Sequence, residues 1–110
     1  MRRVAVIIPA RYGASRFPGK PLAELAGKPL VAHVVERARL ARGVDVVVVA
    51  TDDERIAAAA RGAGAEAVLT GPAETGTDRV AQAARALSPP PDVVVNLQAD
   101  EPLIEPAAIE

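Results

Sequence analysis

The sequence predicts an α/β fold in which a mostly parallel β-sheet lies between two layers of helices, as a three-layer sandwich. Three runs rich in β-branched residues, at 4–8, 46–50 and 93–97, show no regular alternation of apolar and polar residues. Such runs are typical of parallel strands that are covered on both faces. Between them the apolar residues repeat at helical spacing, and alternating strands and helices indicate right-handed crossovers.

The elements follow in order along the chain. A strand at 4–8 precedes a first helix, and Pro29 suits the first turn of that helix. A strand at 46–50 leads to a second helix, for which Thr51 and Glu54 fit a capping box. A shorter strand at 65–69, a third helix and a strand at 93–97 complete the order. The apolar stripes of the three helices are Leu30, Val31, Val34, Val35 and Ala38, then Ile56, Ala57, Ala60 and Ala63, then Val80, Ala83, Ala84 and Leu87.

The composition restricts the class of protein and its chemistry. The chain has 110 residues, of which 50% are hydrophobic and 25% are charged, with a net charge of -1 and no cysteine. These values predict one soluble globular domain without disulfides or thiolate metal sites. The near-neutral charge and the scarcity of aromatic residues predict no nucleic-acid partner. No apolar run is long enough for a membrane span or a signal peptide, so we expect no membrane association and a cytoplasmic location.

The segment after the first strand carries the strongest sign of ligand binding. Residues 9–21 combine small residues, which let backbone N–H groups approach a ligand, with the cations Arg11, Arg16 and Lys20. Ligands of open parallel sheets bind at the carboxyl ends of the strands, so this loop predicts polyphosphate binding. The alternative is a surface loop whose cations are only solvated. Neither the Walker phosphate loop nor a dinucleotide Gly-x-Gly-x-x-Gly is present.

A second polar segment follows the last predicted strand. Asp100 is expected to project into the same crevice as the first loop, and a carboxylate that faces a polyphosphate is the ligand that Mg²⁺ requires. The alternative is that Asp100 or Glu101 caps the following turn. Gln98 offers a donor and an acceptor to a ligand, or it bonds to the backbone at the sheet edge.

Arg79 lies in the first turn of the third helix, where the helix dipole disfavours a cation. A cation at this position indicates an anionic ligand, and the alternative, a purely local role, is equally compatible with the sequence. Thr75 or Thr77 is expected to cap that helix. The polar run at 51–54 is interpreted as capping rather than catalysis, and His33 is interpreted as structural.

Seven stretches carry a resemblance to a known family, at 8–12, 17–22, 26–30, 33–38, 50–52, 76–79 and 96–102. In this order they resemble the family of 3-deoxy-manno-octulosonate (KDO) cytidylyltransferases, also called CMP-KDO synthetases. The resemblance spans the whole chain but only the N-terminal part of the family's fold, which is nucleotide-diphospho-sugar transferase-like and thus Rossmann-like. Residues 1–110 would then be the N-terminal nucleotide-binding portion of a single cytidylyltransferase domain, here truncated. Residues 105–110, which resemble the first turn of another helix, agree with that expectation.

The resemblance implies transfer of CMP from CTP to KDO with release of pyrophosphate, for lipopolysaccharide biosynthesis. It implies that Lys20 and Asp100 are catalytic, that Asp100 holds the cofactor Mg²⁺, and that Arg79 and Gln98 bind the sugar acid. It is also compatible with a homodimer. The implied nucleotide contacts are Pro9, Ala10, Arg11, Ser15, Arg16 and Lys20.

Three features of the sequence depart from the family pattern, and two other functions are compatible with the sequence. Ala14 stands where Ser is common, Ala99 stands where Gly is common, and the loop at 72–75 is shorter and lacks a His, so no cytosine contact is assigned. One alternative is a cytidylyltransferase for another acceptor, such as a sialic acid or methylerythritol phosphate. The other is a non-catalytic nucleotide-binding fragment.

Overall fold

The computed structural model describes residues 3–10, 24–25, 27–71, 76–87 and 91–97. Within these ranges the predicted alternation of strands and helices is confirmed, and its boundaries move by one or two residues. The elements are β1 (Val4–Ala10), β2 (Glu24–Leu25), β3 (Lys28–Pro29), α1 (Leu30–Arg39), β4 (Val46–Thr51), α2 (Glu54–Gly62), β5 (Glu66–Leu69), α3 (Gly76–Ala86) and β6 (Val93–Asn96).

Four strands form one parallel sheet in the order β5-β4-β1-β6. From β1 the chain moves outward through β4 to β5 and then returns to the other side of β1 to form β6. The direction of travel along the sheet therefore reverses between β1 and β6. In open α/β sheets, this switch point is where neighbouring connections diverge and leave a crevice at the carboxyl ends of the strands.

Helices cover both faces of the sheet, which confirms the three layers. Alternate residues of β1 point to opposite faces, so Ile8 packs with α1 and α2 while Ile7 packs with α3. Both isoleucines are fully buried, which contributes about 1.5–3 kcal/mol for each side chain. The small residues Ala38 and Ala60 belong to the core shared by α1 and α2 and leave room for close packing.

The predicted capping box of α2 is wrong, because the strand before the helix is longer than expected. Thr51 is the last residue of β4, where it is fully buried and pairs with Ala10 and Leu69. Asp53 caps the helix instead, and its Oδ1 accepts hydrogen bonds from the backbone N–H of Arg55 at 2.8 Å and of Ile56 at 3.3 Å. The interpretation of this acidic run as capping is therefore confirmed for Asp53.

The end of α2 explains one of the two glycines that the sequence places there. Gly62 is the last helical residue, and Gly64 has φ +101°, in the range that favours glycine. A Cβ atom at Gly64 would collide with the guanidinium of Arg39, which donates a hydrogen bond to the Ala63 carbonyl at 3.1 Å. Arg39 thus joins the ends of α1 and α2.

A short antiparallel hairpin, β2–β3, was not expected. Glu24 pairs with Pro29 and Leu25 pairs with Lys28, and Gly27 turns the chain at φ +82°. Strands of two residues are too short to show a period of two, so the pattern had no signal for them. Pro29 ends β3 and stands at the N-cap position, one residue before the helix that it was expected to begin.

None of the helices in these ranges has the length and apolarity of a membrane span.

Candidate functional site

The carboxyl edge of the sheet, where its four strands end, brings together the places where the two predicted ligand segments begin. Ala10 ends β1, and Leu97 follows β6 on the adjacent strand, with its N–H donating to the Ile7 carbonyl at 3.1 Å. The predicted phosphate loop leaves from Ala10, and the segment with Asp100 leaves from Leu97. Both segments therefore depart from the switch point.

Pro9 accounts for the end of pairing between β1 and β6. The last paired residues are Ile7 and Asn96, and the Leu97 N–H still donates to β1. A regular parallel ladder would next have residue 9 donate to the Leu97 carbonyl, but proline has no N–H. The ladder stops at this point, which lets the two strands separate at the mouth of the crevice.

Pro9 and Ala10 were assigned to the loop and to nucleotide contact, and the structure places both inside β1. They pair with Ala50 and Thr51 of β4, and both residues are buried. Ala10 is 3% exposed and packs in the core with α1 and α2. The loop therefore begins two residues later than predicted, because β4 offers two further partners. Contact between these two residues and a nucleotide remains a prediction.

Arg79 lies at the carboxyl edge with partners from the chain itself. The residue is 2% exposed, its Nη1 donates a hydrogen bond to Thr70 Oγ1, and its Nη2 lies 3.8 Å from Asp52 Oδ2. Asp52 follows β4 and Thr70 follows β5, so three elements meet at this guanidinium. The cation that the helix dipole disfavours is thus compensated within the fold.

The remaining predicted site residues lie outside the described residues, and their roles stay predictions. This also applies to the Mg²⁺ site, since it depends on Asp100. Within the ranges that the structure describes, no group of three or more His, Cys, Asp or Glu side chains could hold a metal ion. The predicted residues outside these ranges are Arg11, Ser15, Arg16, Lys20, Gln98 and Asp100.

The sequence did not predict that Asp52 and Thr70 contact Arg79 at the carboxyl edge. Each directly follows a strand of the parallel sheet, and this position alone is a signal that could have found them. The sequence does not distinguish Asp52 from Asp53, because both precede the same helix. Only the packing shows that Asp53 turns back to cap α2, whereas Asp52 approaches Arg79.

Two carboxylates have a pKa shifted by local cations. The hydrogen bond from the Arg55 guanidinium, together with the backbone N–H groups of Arg55 and Ile56, holds the pKa of Asp53 below its ordinary value. The hydrogen bond from Lys28 Nζ, at 2.8 Å, likewise lowers the pKa of Glu36. Lys28 and Glu36 lie on β3 and α1, and their side chains are about half exposed, so this pair is a surface contact.

Known proteins resemble this chain in sequence and in fold. A 3-deoxy-manno-octulosonate cytidylyltransferase from Anaeromyxobacter sp. (strain K) is 81% identical over the whole chain, which spans 46% of that relative. An 8-amino-3,8-dideoxy-manno-octulosonate cytidylyltransferase from Shewanella sp. (strain W3-18-1) is 55% identical over 97% of the chain and 44% of the relative. The chain thus spans less than half the length of the curated relatives that it matches.

A solved structure and a family match agree with these relatives. The structure of a CMP:2-keto-3-deoxy-manno-octonic acid synthetase complexed with CTP superposes with a TM-score of 0.91 at 45% identity, over 98% of this chain and 44% of that one. Residues 5–110 match the family described as cytidylyltransferase. The match covers nearly all of the sequence, and the chain therefore belongs to the cytidylyltransferase family.

Proposed function

We propose that this chain supplies the nucleotide-binding portion of an enzyme that transfers CMP from CTP to KDO and releases pyrophosphate. The observation that carries this proposal is the 81% identity over all 110 residues to a relative named for that acceptor. The sheet topology supports it, because both predicted ligand segments leave the sheet at its switch point. The proposal places the enzyme in the cytoplasm, on the route to lipopolysaccharide.

The proposed chemistry is a displacement at the α-phosphorus of CTP. The anomeric hydroxyl oxygen of the sugar acid forms a bond to this phosphorus while the bond to the bridging oxygen of the pyrophosphate breaks, and the hydroxyl proton passes to solvent. Negative charge grows on the phosphate oxygens and on the leaving pyrophosphate. The cations Arg11, Arg16 and Lys20 would bind the triphosphate and neutralise that charge, which is the main task of a phosphoryl-transfer site.

Two other groups of residues complete the proposed site. Asp100 would hold Mg²⁺, since this ion takes one or two carboxylates together with substrate phosphates, and when bound it neutralises charge on those phosphates. Arg79 and Gln98 would serve the acceptor, a carboxylate-bearing sugar with several hydroxyl groups. An arginine suits a carboxylate, and an amide suits hydroxyl groups.

The test is a chimera that joins residues 1–110 to the rest of the Anaeromyxobacter sp. (strain K) relative, with that relative as the positive control. Pyrophosphate release is measured with CTP and Mg²⁺ and with one acceptor at a time. We expect KDO-dependent release at a rate close to that of the parent relative. A folded chimera that is inactive with every acceptor, beside an active parent, would contradict the proposed function.

The acceptor is tested in the same assay. The Shewanella relatives are named for the 8-amino-3,8-dideoxy analogue of KDO, so this compound is the sharpest competitor, and a sialic acid is the more distant one. We expect KDO to give the highest kcat/KM. A higher kcat/KM for the amino sugar would assign that acceptor instead and leave the transfer of CMP in place.

A further inference from the structure

A buried cation at the carboxyl edge of the sheet calls for a functional explanation. Among the described residues, Arg79 is the charged residue that is buried, and its side chain is 3% exposed. It also lies in the first turn of α3, where the helix dipole disfavours positive charge. Replacing a buried ion pair by apolar residues of similar size often leaves folding stability unchanged or raises it. A residue whose charge conflicts with its local surroundings is expected at functional sites more than elsewhere in a fold.

The cation is held from two neighbouring strands. Thr70 Oγ1 accepts a hydrogen bond from Arg79 Nη1, and Asp52 Oδ2 lies 3.8 Å from Arg79 Nη2. One turn further along α3, Gln82 Oε1 accepts a hydrogen bond from the Gly71 N–H at 3.1 Å. One face of α3 therefore forms hydrogen bonds with the chain just after β5, and Asp52 contacts the same helix from the end of β4.

The position of Asp52 connects this contact to the proposed nucleotide site. Thr51 pairs directly with Ala10, the residue from which the predicted phosphate loop departs. Adjacent strands lie about 5 Å apart, so the backbone of Asp52 lies one strand away from the point where that loop departs. Arg79 is thereby held beside the crevice in which an anionic substrate would bind.

We propose that Asp52 is a positioning residue for the cytidylyl transfer, and that it acts by holding the Arg79 guanidinium where it serves the anionic sugar acid. The inference rests on the proposed function. Asp52 is 45% exposed, so solvent screens its carboxylate, whereas the Arg79 side chain is buried and loses a compensating charge when Asp52 is neutralised. Removal of the Asp52 charge therefore changes the acceptor side of the reaction and also lowers folding stability.

The first test is Asp52→Asn in the chimera, since asparagine keeps the size of the side chain and removes its charge. The KM for the sugar acid rises about tenfold, while kcat and the KM for CTP stay within about twofold, because ground-state binding of one substrate is affected. Asp52→Glu retains the charge and restores the KM. Asp52→Glu unfolds at a temperature close to that of the unmodified chimera, and the loss of stability in Asp52→Asn is measured so that the KM is compared between folded proteins.

Two further variants separate positioning from other effects of charge. Asp53→Asn makes the same charge change at the next residue, whose carboxylate caps α2, and it leaves the KM for the sugar acid unchanged. In an Arg79→Gln background, Asp52→Asn has no further effect on this KM, because Asp52 acts through Arg79.

Each other outcome identifies which idea fails. If the unmodified chimera is active and Asp52→Asn changes only its thermal unfolding, Asp52 is structural and the inference is wrong. If Asp53→Asn raises the KM for the sugar acid equally, the total charge at the carboxyl edge determines this KM, and the inference that Asp52 acts through its contact with Arg79 is wrong. If the folded, unmodified chimera has no turnover beside an active parent, the proposed function is wrong and the inference is overturned with it.

Discussion

The two edges of the parallel sheet use the same residue types for different purposes. At the amino edge, where the strands begin, Asp92 Oδ2 accepts a hydrogen bond from the Arg3 N–H at 2.7 Å, and Asp45 Oδ2 accepts one from the Val4 N–H at 2.6 Å. The backbones of Asp92 and Asp45 bond back to Arg3 and Val4. These carboxylates extend the backbone ladder by one step and join neighbouring strands.

At the carboxyl edge the ladder ends early and charged side chains face one another. Pro9 removes a backbone donor, Asp52 faces the buried Arg79, and two ligand segments are predicted to depart nearby. The amino-edge carboxylates bond to the backbone of neighbouring strands, whereas Asp52 at the carboxyl edge faces a buried cation. We therefore expect substitutions at the amino edge to change folding stability, and those near the predicted ligand segments to change binding and turnover.

The largest expected effect is at the carboxyl edge. Asp100→Asn in the chimera should abolish KDO-dependent pyrophosphate release, because the neutral amide holds Mg²⁺ poorly against water. The midpoint of thermal unfolding should not change. A variant that keeps the parental rate at limiting Mg²⁺ would make Asp100 a turn cap and would remove the strongest functional residue from this edge.

Lys20→Ala should weaken CTP binding by about ten- to a hundredfold, the loss expected for one hydrogen bond to a charged group, about 1.5–3 kcal/mol. Calorimetric titration of the chimera with CTP measures the change. Lys28→Ala is a matched control, because Lys28 forms a surface pair with Glu36. Equal CTP affinity of the Lys20 variant and the unmodified chimera would exclude Lys20 from the site.

Gly64→Ala tests the amino edge. The φ of +101° should lower the free energy of unfolding by about 1–3 kcal/mol, whereas the exposed Arg39 guanidinium can move away from the new Cβ atom. Denaturant unfolding of the chimera measures this loss, and its CTP affinity should not change. Gly62→Ala, at a helical position with open space around a Cβ atom, is the control that should not destabilise. Weaker CTP binding by folded Gly64→Ala would contradict the division between the edges.

The smallest effect concerns Asp53, a carboxylate at the carboxyl edge that serves the fold. Its pKa in the folded chain is held below the ordinary value of 3.8, so its contribution to stability is present above that value and is lost as the pH falls through the folded pKa. Asp53→Asn should therefore flatten the loss of stability below about pH 4. Unfolding of both proteins across this range measures the difference, and parallel curves would show that the cap does not titrate with folding.

The sequence predicts where the two ligand segments leave the sheet, whereas the contacts of those segments stay predictions. The rule that ligand segments follow parallel strands predicts the phosphate loop and Asp100 at the carboxyl edge, and the strand order puts Ala10 and Leu97, which precede the two segments, beside each other. The same rule did not reveal that Asp52 and Thr70 hold Arg79, because these three residues are far apart in sequence. Asp52 and Asp53 are chemically identical, so only their packing separates the two roles.

The sequence by itself determined the type and order of the main strands and helices, and also the family. Apolar spacing is a local property: the run at 46–50 is typical of a strand covered on both faces, and the stripe of Val31, Val34 and Val35 is typical of a helix that packs on one face. The tertiary structure decided which strands are neighbours, where β1 ends, and what neutralises Arg79. These outcomes depend on pairing between distant segments, since β4 extends β1 through Ala10 and Pro9 stops the ladder with β6.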